Sequence, residues 1–113
     1  MLERLAQAKR ASFLVVLKCF GEAGSGMLSY PMPGYTLALD IPNRPGLEEF
    51  TRELDRILLD HGGRLYLAKD ALTAPETFAE MYPNLDAFRE MRRSLDPENI
   101  LRSTMSRRLR LDK

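Results

Sequence analysis

The sequence predicts an α+β fold, a small and mainly antiparallel sheet of three or more strands with helices packed on it and a helical C-terminal tail. Three observations carry this. β-branched and aromatic runs at 12–20, 35–42 and 64–68 read as strands. Between the second and third runs, apolar residues recur at steps of three and four, and after residue 73 only helical patterns follow. With 113 residues, 44% hydrophobic and 29% charged, the chain reads as one globular domain over 1–113, able to bury roughly two thirds of its unfolded surface.

Residues 2–10 predict a short, loosely packed helix with Leu2, Leu5, Ala6 and Lys9 on one side. "SFLVVLKCF" follows as a buried strand, with Phe13, Val15, Leu17 and Cys19 on one face and Leu14, Val16, Lys18 and Phe20 on the other. "GEAGSGMLSYPMPG" is too rich in glycine and proline for a regular element, and connections of this length are often functional. "YTLALDIP" forms the second strand. Its Tyr35, Leu37, Leu39 and Ile41 oppose a smaller, more polar face of Thr36, Ala38 and Asp40 that could line a site.

In "PGLEEFTRELDRILLDHGG", the stripe Leu47, Phe50, Leu54, Ile57 and Leu58 makes an amphipathic helix, with Gly62 placed to end it in a left-handed conformation. "RLYLA" is the expected third strand. Thr73 and Glu76 have the spacing of a capping box, and Pro83 stops the helix that they open. Asn84 then caps residues 85–95, with Leu85, Phe88, Met91 and Leu95 inward. "DPEN" turns the chain, and Ser103 opens a last basic helix.

Composition excludes several function classes. The net charge of +1 comes from 17 basic and 16 acidic residues mixed along the chain, so no field that would steer nucleic acid is expected. Runs such as "FLVVL" fall far short of the roughly 20 residues needed to span a bilayer, and the N-terminus lacks the apolar stretch of a signal peptide. The chain reads as soluble and unprocessed. Single Cys19 allows no internal disulfide and fits a reducing compartment.

Thirteen arginines against four lysines make a lysine in or beside a strand notable, and Lys18 and Lys69 are both so placed. Each is either snorkelling at a strand end or a tuned cation beside a ligand. His61, the only histidine, most simply meets the negative end of the preceding helix. Cys19 reads as a small buried hydrophobe, and no metal site is expected. "GEAGSG" lacks the context of a phosphate cradle. Tyr30, Met27 and Met32 form either a greasy lip around a ligand or a cover for the core, and "SRRLR" is a solvated basic face or an anionic-partner surface.

Taken together, "KCFG", "LSYPMPGYTLALDIP", "GGRLYLAKDA", "ETFAEMYP" and "RRSLDPENILRSTMSRRL" resemble the C-terminal substrate region of FAD-linked oxidases of the vanillyl-alcohol oxidase superfamily. The likeness is strongest to members that work with a reductase partner in a sugar epimerisation. The resemblance implies that a secondary alcohol gives hydride to flavin N5. It implies that Lys69 of "AKD" reaches flavin and substrate as the catalytic residue, with Tyr66 its neighbour. By the same resemblance, Lys18, Phe20, Thr36 and Ala38 line the substrate or cofactor pocket, although relatives carry asparagine and cysteine at the last two positions. The flavin-binding domain of such enzymes has no counterpart in this sequence. The chain is therefore expected to hold FAD weakly and to be inactive alone, with a flavin-binding domain or subunit as partner. The alternative is a non-catalytic module that buries its former domain interface in a homodimer. The expected location is cytoplasmic, free or peripheral at the inner membrane.

Overall fold

The computed structural model describes residues 1–10 and 13–112. Ser12, expected to open the first strand, lies outside them. The order is α1 (Leu2–Gln7), β1 (Val15–Phe20), β2 (Gly34–Leu39), α2 (Leu47–Asp60), α3 (Pro75–Met81), α4 (Leu85–Leu95) and α5 (Thr104–Arg108). The fold is α+β, as the sequence predicts. Among the described residues, however, the sheet has two strands rather than three or more.

β1 and β2 pair antiparallel, with Val16 opposite Ala38, Lys18 opposite Thr36 and Phe20 opposite Gly34. Directly opposed residues share a face. The polar face expected on β2 and the Lys18 face expected on β1 are therefore one surface. Burial corrects the expectation for β1: Val15, Val16, Leu17 and Cys19 are all exposed, because no described element covers the strand. Cys19 is accordingly not the buried small hydrophobe that its neighbours suggest.

α2 organises the rest of the chain. Gly46 precedes it at φ 75°, a conformation that disfavours a side chain, and a Cβ there would lie 3.2 Å from Nη2 of Arg10. At its other end Gly62 takes φ 66°. The amides of Gly62 and Gly63 return to the carbonyls of Leu59 and Leu58 at 2.9 and 2.7 Å, a Schellman closure. Phe50 and Leu54 of α2 pack with Leu5 of α1, and Leu39, Ile41 and Ile57 close around them. Leu58 and Leu59 lie against a second cluster of Phe78, Met81, Tyr82, Leu85, Leu109 and Leu111. α1 is held more firmly than its length suggests. Leu5 is buried, and Arg4 donates from Nε and Nη2 to the two carboxylate oxygens of Glu53 at 2.5 and 2.7 Å. That bond holds Glu53 below the usual carboxylate range.

The expected third strand is the main correction. Residues 63–66 run on without a ladder, and a turn at 66–69 follows, closed by the Lys69 amide donating to the Tyr66 carbonyl at 2.8 Å. The period of two survives. Leu65 and Leu67 pack on the second cluster, whereas Tyr66 and Ala68 face outward. The Leu65 carbonyl accepts from the hydroxyl of Tyr82 instead of a neighbouring strand.

The helical half shows smaller departures. Pro75 occupies the start of α3 and places Ala74, not Thr73, at its N-cap in an extended conformation, so the Thr73–Glu76 box does not form. Asn84 stands at the N-cap of α4 without a side-chain cap bond. Leu85 is buried and Phe88 half-buried, but Met91 and Leu95 are exposed because no described element covers the end of α4. Ser103 does open α5. Its Oγ accepts from the Ser106 amide at 3.0 Å, and the Ser106 hydroxyl accepts from the Ser103 amide at 2.8 Å.

Candidate functional site

A groove of about 1020 Å³ opens between α2 and the hairpin. All six sequence-predicted site residues line it: Lys18 and Phe20 from β1, Thr36 and Ala38 from β2, and Tyr66 and Lys69 from the turn after α2. The two strands supply adjacent residues because the register pairs Lys18 with Thr36. Tyr66 and Lys69 arrive together because the 66–69 turn puts both at its ends.

Tyr30 joins these parts. Its ring meets Phe20 edge-on at 5.5 Å and lies tilted against Tyr66 at 5.0 Å, and its hydroxyl shares a hydrogen bond with Oγ1 of Thr36. The long glycine- and proline-rich connection therefore delivers an aromatic hub into the groove. Met32 lines the groove as well. Of the two roles that the sequence allows Tyr30, its three neighbours place it in the lip.

Lys69 is more than half exposed and is not alone: its Nζ lies 3.1 Å from Oδ1 of Asp40, just past β2. The next residue, Asp70, is buried and pairs with Nη2 of Arg108 at 2.7 Å, and Nη1 of Arg108 donates to the Thr73 carbonyl at 3.0 Å. α5 thus clamps the turn that carries Lys69. This is a structural use of "SRRLR" that sequence reasoning missed. Arg110 adds an ion pair to Glu76 at 2.8 Å.

Three further groups bear on the groove. His61 caps α2, its Nδ1–H donating to the Ile57 carbonyl at 2.8 Å, in keeping with the helix-end role its position suggests. Arg64 donates to the Ser29 carbonyl at 3.0 Å and lies 5.5 Å over the Tyr82 ring. Asp55 was not foreseen. It is only 6% exposed, on α2, and burial pushes its carboxyl up to about 6. Its signal in the sequence was slight, an acidic residue at the edge of the apolar stripe, flanking Leu58.

A basic, aromatic and largely apolar groove with a few converging polar groups is suited to holding a flat or polyhydroxylated small molecule. Among the described residues, no group of three or more histidine, cysteine, aspartate or glutamate side chains is arranged to hold a metal ion. No described helix is long and apolar enough to cross a membrane.

Comparison with known proteins gives the family of the chain. The chain is 50% identical over 100 residues to decaprenylphosphoryl-β-D-ribose oxidase of Mycolicibacterium smegmatis, covering 88% of this chain and 22% of that protein. It is 40% identical over 112 residues to an uncharacterized protein from the mprA 5′ region of Streptomyces coelicolor, covering 98% of this chain and 30% of that one. The chain therefore spans less than a third of the length of either relative. Residues 38–109, which include Ala38, Asp55, Tyr66 and Lys69, match the model of the D-arabinono-1,4-lactone oxidase family. The chain belongs to the D-arabinono-1,4-lactone oxidase family.

Proposed function

We propose that this chain forms the substrate-facing wall of an FAD-dependent oxidoreductase that oxidises a sugar-type secondary alcohol. One observation carries the reading. Lys18, Phe20, Thr36, Ala38, Tyr66 and Lys69 converge on one groove in a chain of an oxidase family. FAD, when bound, would supply the hydride acceptor. The groove suits its ring system, since Tyr30, Tyr66 and Phe20 offer aromatic surface beside the Lys69 ammonium. In this reading a separate flavin-binding domain or subunit holds the cofactor's pyrophosphate, which is supported by the chain's covering only 22% of the oxidase it matches.

In this reading Lys69 is catalytic. Its ammonium exchanges Asp40 for the substrate, orients the hydroxyl that is oxidised and favours developing negative charge nearby. Such an exchange is inexpensive because a solvent-exposed pair of this kind contributes only about 0–1 kcal/mol. Lys18 and Thr36, opposed across the hairpin, bind further oxygens of the sugar, while Phe20, Ala38 and Tyr66 set the width of the groove.

Titration of the purified chain with FAD tests the division of labour. Weak binding and no oxidase activity are expected from the chain alone, with activity on mixing with a flavin-binding half. A stable, stoichiometric yellow complex of this chain would refute it.

A second reading, a non-catalytic module that self-associates, is favoured by the apolar surface at Val15, Leu17 and Tyr35, all exposed. A stable homodimer that buries Val15, Leu17 and Tyr35 would decide for it.

A further inference from the structure

The helix wall of the groove holds a group that the proposed chemistry does not use. Leu47, Thr51, Leu54, Asp55 and Leu58 line it at steps of three and four, so one face of α2 forms this wall. Leu47, Leu54 and Leu58 are accounted for by the core-facing stripe, and Thr51 by its hydroxyl bond to the Glu48 carbonyl at 3.0 Å. Asp55 is not: its side chain is more than nine-tenths buried, yet among the described residues it makes no ion pair or side-chain hydrogen bond. Burial disfavours the charged form of such a carboxylate, and an apolar residue of similar size would pack there without that cost.

We propose that Asp55 is a hydroxyl-binding residue of the groove, a carboxylate on α2 that accepts hydrogen bonds from a polyol bound between the helix and the hairpin. The assignment rests on the sugar-oxidising reading and adds a second wall to it. Lys18, Thr36 and Lys69 would hold the ligand from the sheet side and Asp55 from the helix side. Carboxylates suit this task because each oxygen can accept from a neighbouring hydroxyl, and charge-assisted bonds of this type are about twice as strong as neutral ones. The charged groups that share the groove with Asp55 are Lys18, Arg64 and Lys69, with His61 at the end of α2. None of them is paired with it. Its polar capacity is left for a ligand.

The test is an amide-resonance titration of the intact chain with methyl β-D-ribofuranoside, on wild type, Asp55→Asn and Asp55→Leu, with a melting curve for each. Shifts at Thr36, Thr51 and Asp55 are expected in wild type. Affinity should fall roughly tenfold or more in Asp55→Leu, with a smaller loss in Asp55→Asn, which keeps one acceptor oxygen. The melting temperature of Asp55→Leu should equal or exceed that of wild type, because a site kept for binding is a site of stored instability. Unchanged affinity in Asp55→Leu would overturn the assignment while leaving the sugar-binding groove intact. Equal loss in both variants with falling melting temperatures would mark a structural role and also overturn it. Absence of any shift in wild type would overturn the groove reading and the assignment together.

Discussion

The hydroxyl of Tyr82 donates to the carbonyl of Leu65 at 2.5 Å, across 17 residues. Tyr82 is fully buried between Phe78 and the Arg64 guanidinium, 4.8 and 5.5 Å from its ring. "GGRLYLAKD" and "AEMYP", which sequence shows as two motifs, are thus one physical unit. The bond takes the carbonyl that a third strand would have used, and it fixes the approach to Tyr66 and Lys69.

Tyr82→Phe should therefore cost about 1–2 kcal/mol, because it leaves the Leu65 carbonyl without its partner in a half-buried setting. Urea denaturation measures the loss. Burial also pushes the Tyr82 phenol up to about 12. The folded state then holds its proton longer than the unfolded one, so stability should decline between about pH 10 and pH 12 by an increment absent from Tyr82→Phe.

Arg108→Ala should release the turn that carries Lys69. It leaves buried Asp70 without its cation and the Thr73 carbonyl without its donor, a loss of roughly 1–3 kcal/mol. Hydrogen exchange gives the local reading. The Thr73 amide, which donates to the Asp70 carbonyl at 2.9 Å, should lose protection more than amides within α2.

Asp55 gives a pH signature of opposite sign to that of an ordinary surface carboxylate. Its raised value means that the native state binds more protons than the unfolded chain between about pH 4 and pH 6. Stability should fall as pH rises through this window, by about 3 kcal/mol at most, and remain lower above it. Asp55→Asn should abolish the slope in melts run from pH 4 to pH 7.

Asp96 should act at the acid side. Hydrogen bonds from the Ile100 and Leu101 amides, at 2.8 and 2.9 Å, together with nearby Arg92 and Arg102, hold its carboxyl below the usual range. Its contribution is present above the unfolded value near 4 and is lost as pH falls through the lower folded one. Asp96→Asn should lower the melting temperature at pH 7 and narrow its difference from wild type on acidification.

Lys69→Met should separate function from stability. Its exposed partnership with Asp40 implies a stability change of less than about 1 kcal/mol. Oxidase activity reconstituted with a flavin-binding half should nevertheless collapse. Equal activity in the variant would remove Lys69 from the mechanism.

Local periodicity and punctuation determined much of this protein. The stripe of α2 and its closure at Gly62, the alternation that sets Lys18 and Phe20 apart from Cys19, and the α5 start at Ser103 are each encoded within a few residues. The six candidate site positions were legible through resemblance, while the strand period placed four of them on matching faces. Tertiary structure decided what each face meets. Leu65 alternates like a strand residue, but its carbonyl is claimed by Tyr82, whose reach depends on packing 17 residues away. The strand period marked Cys19 as buried, yet burial needs a covering element, and no described element covers β1. Asp55 reads as one more helix charge until the fold turns its face into the groove. Periodicity says which residues travel together; only the packed chain determines whether they arrive at water, at a core or at a site.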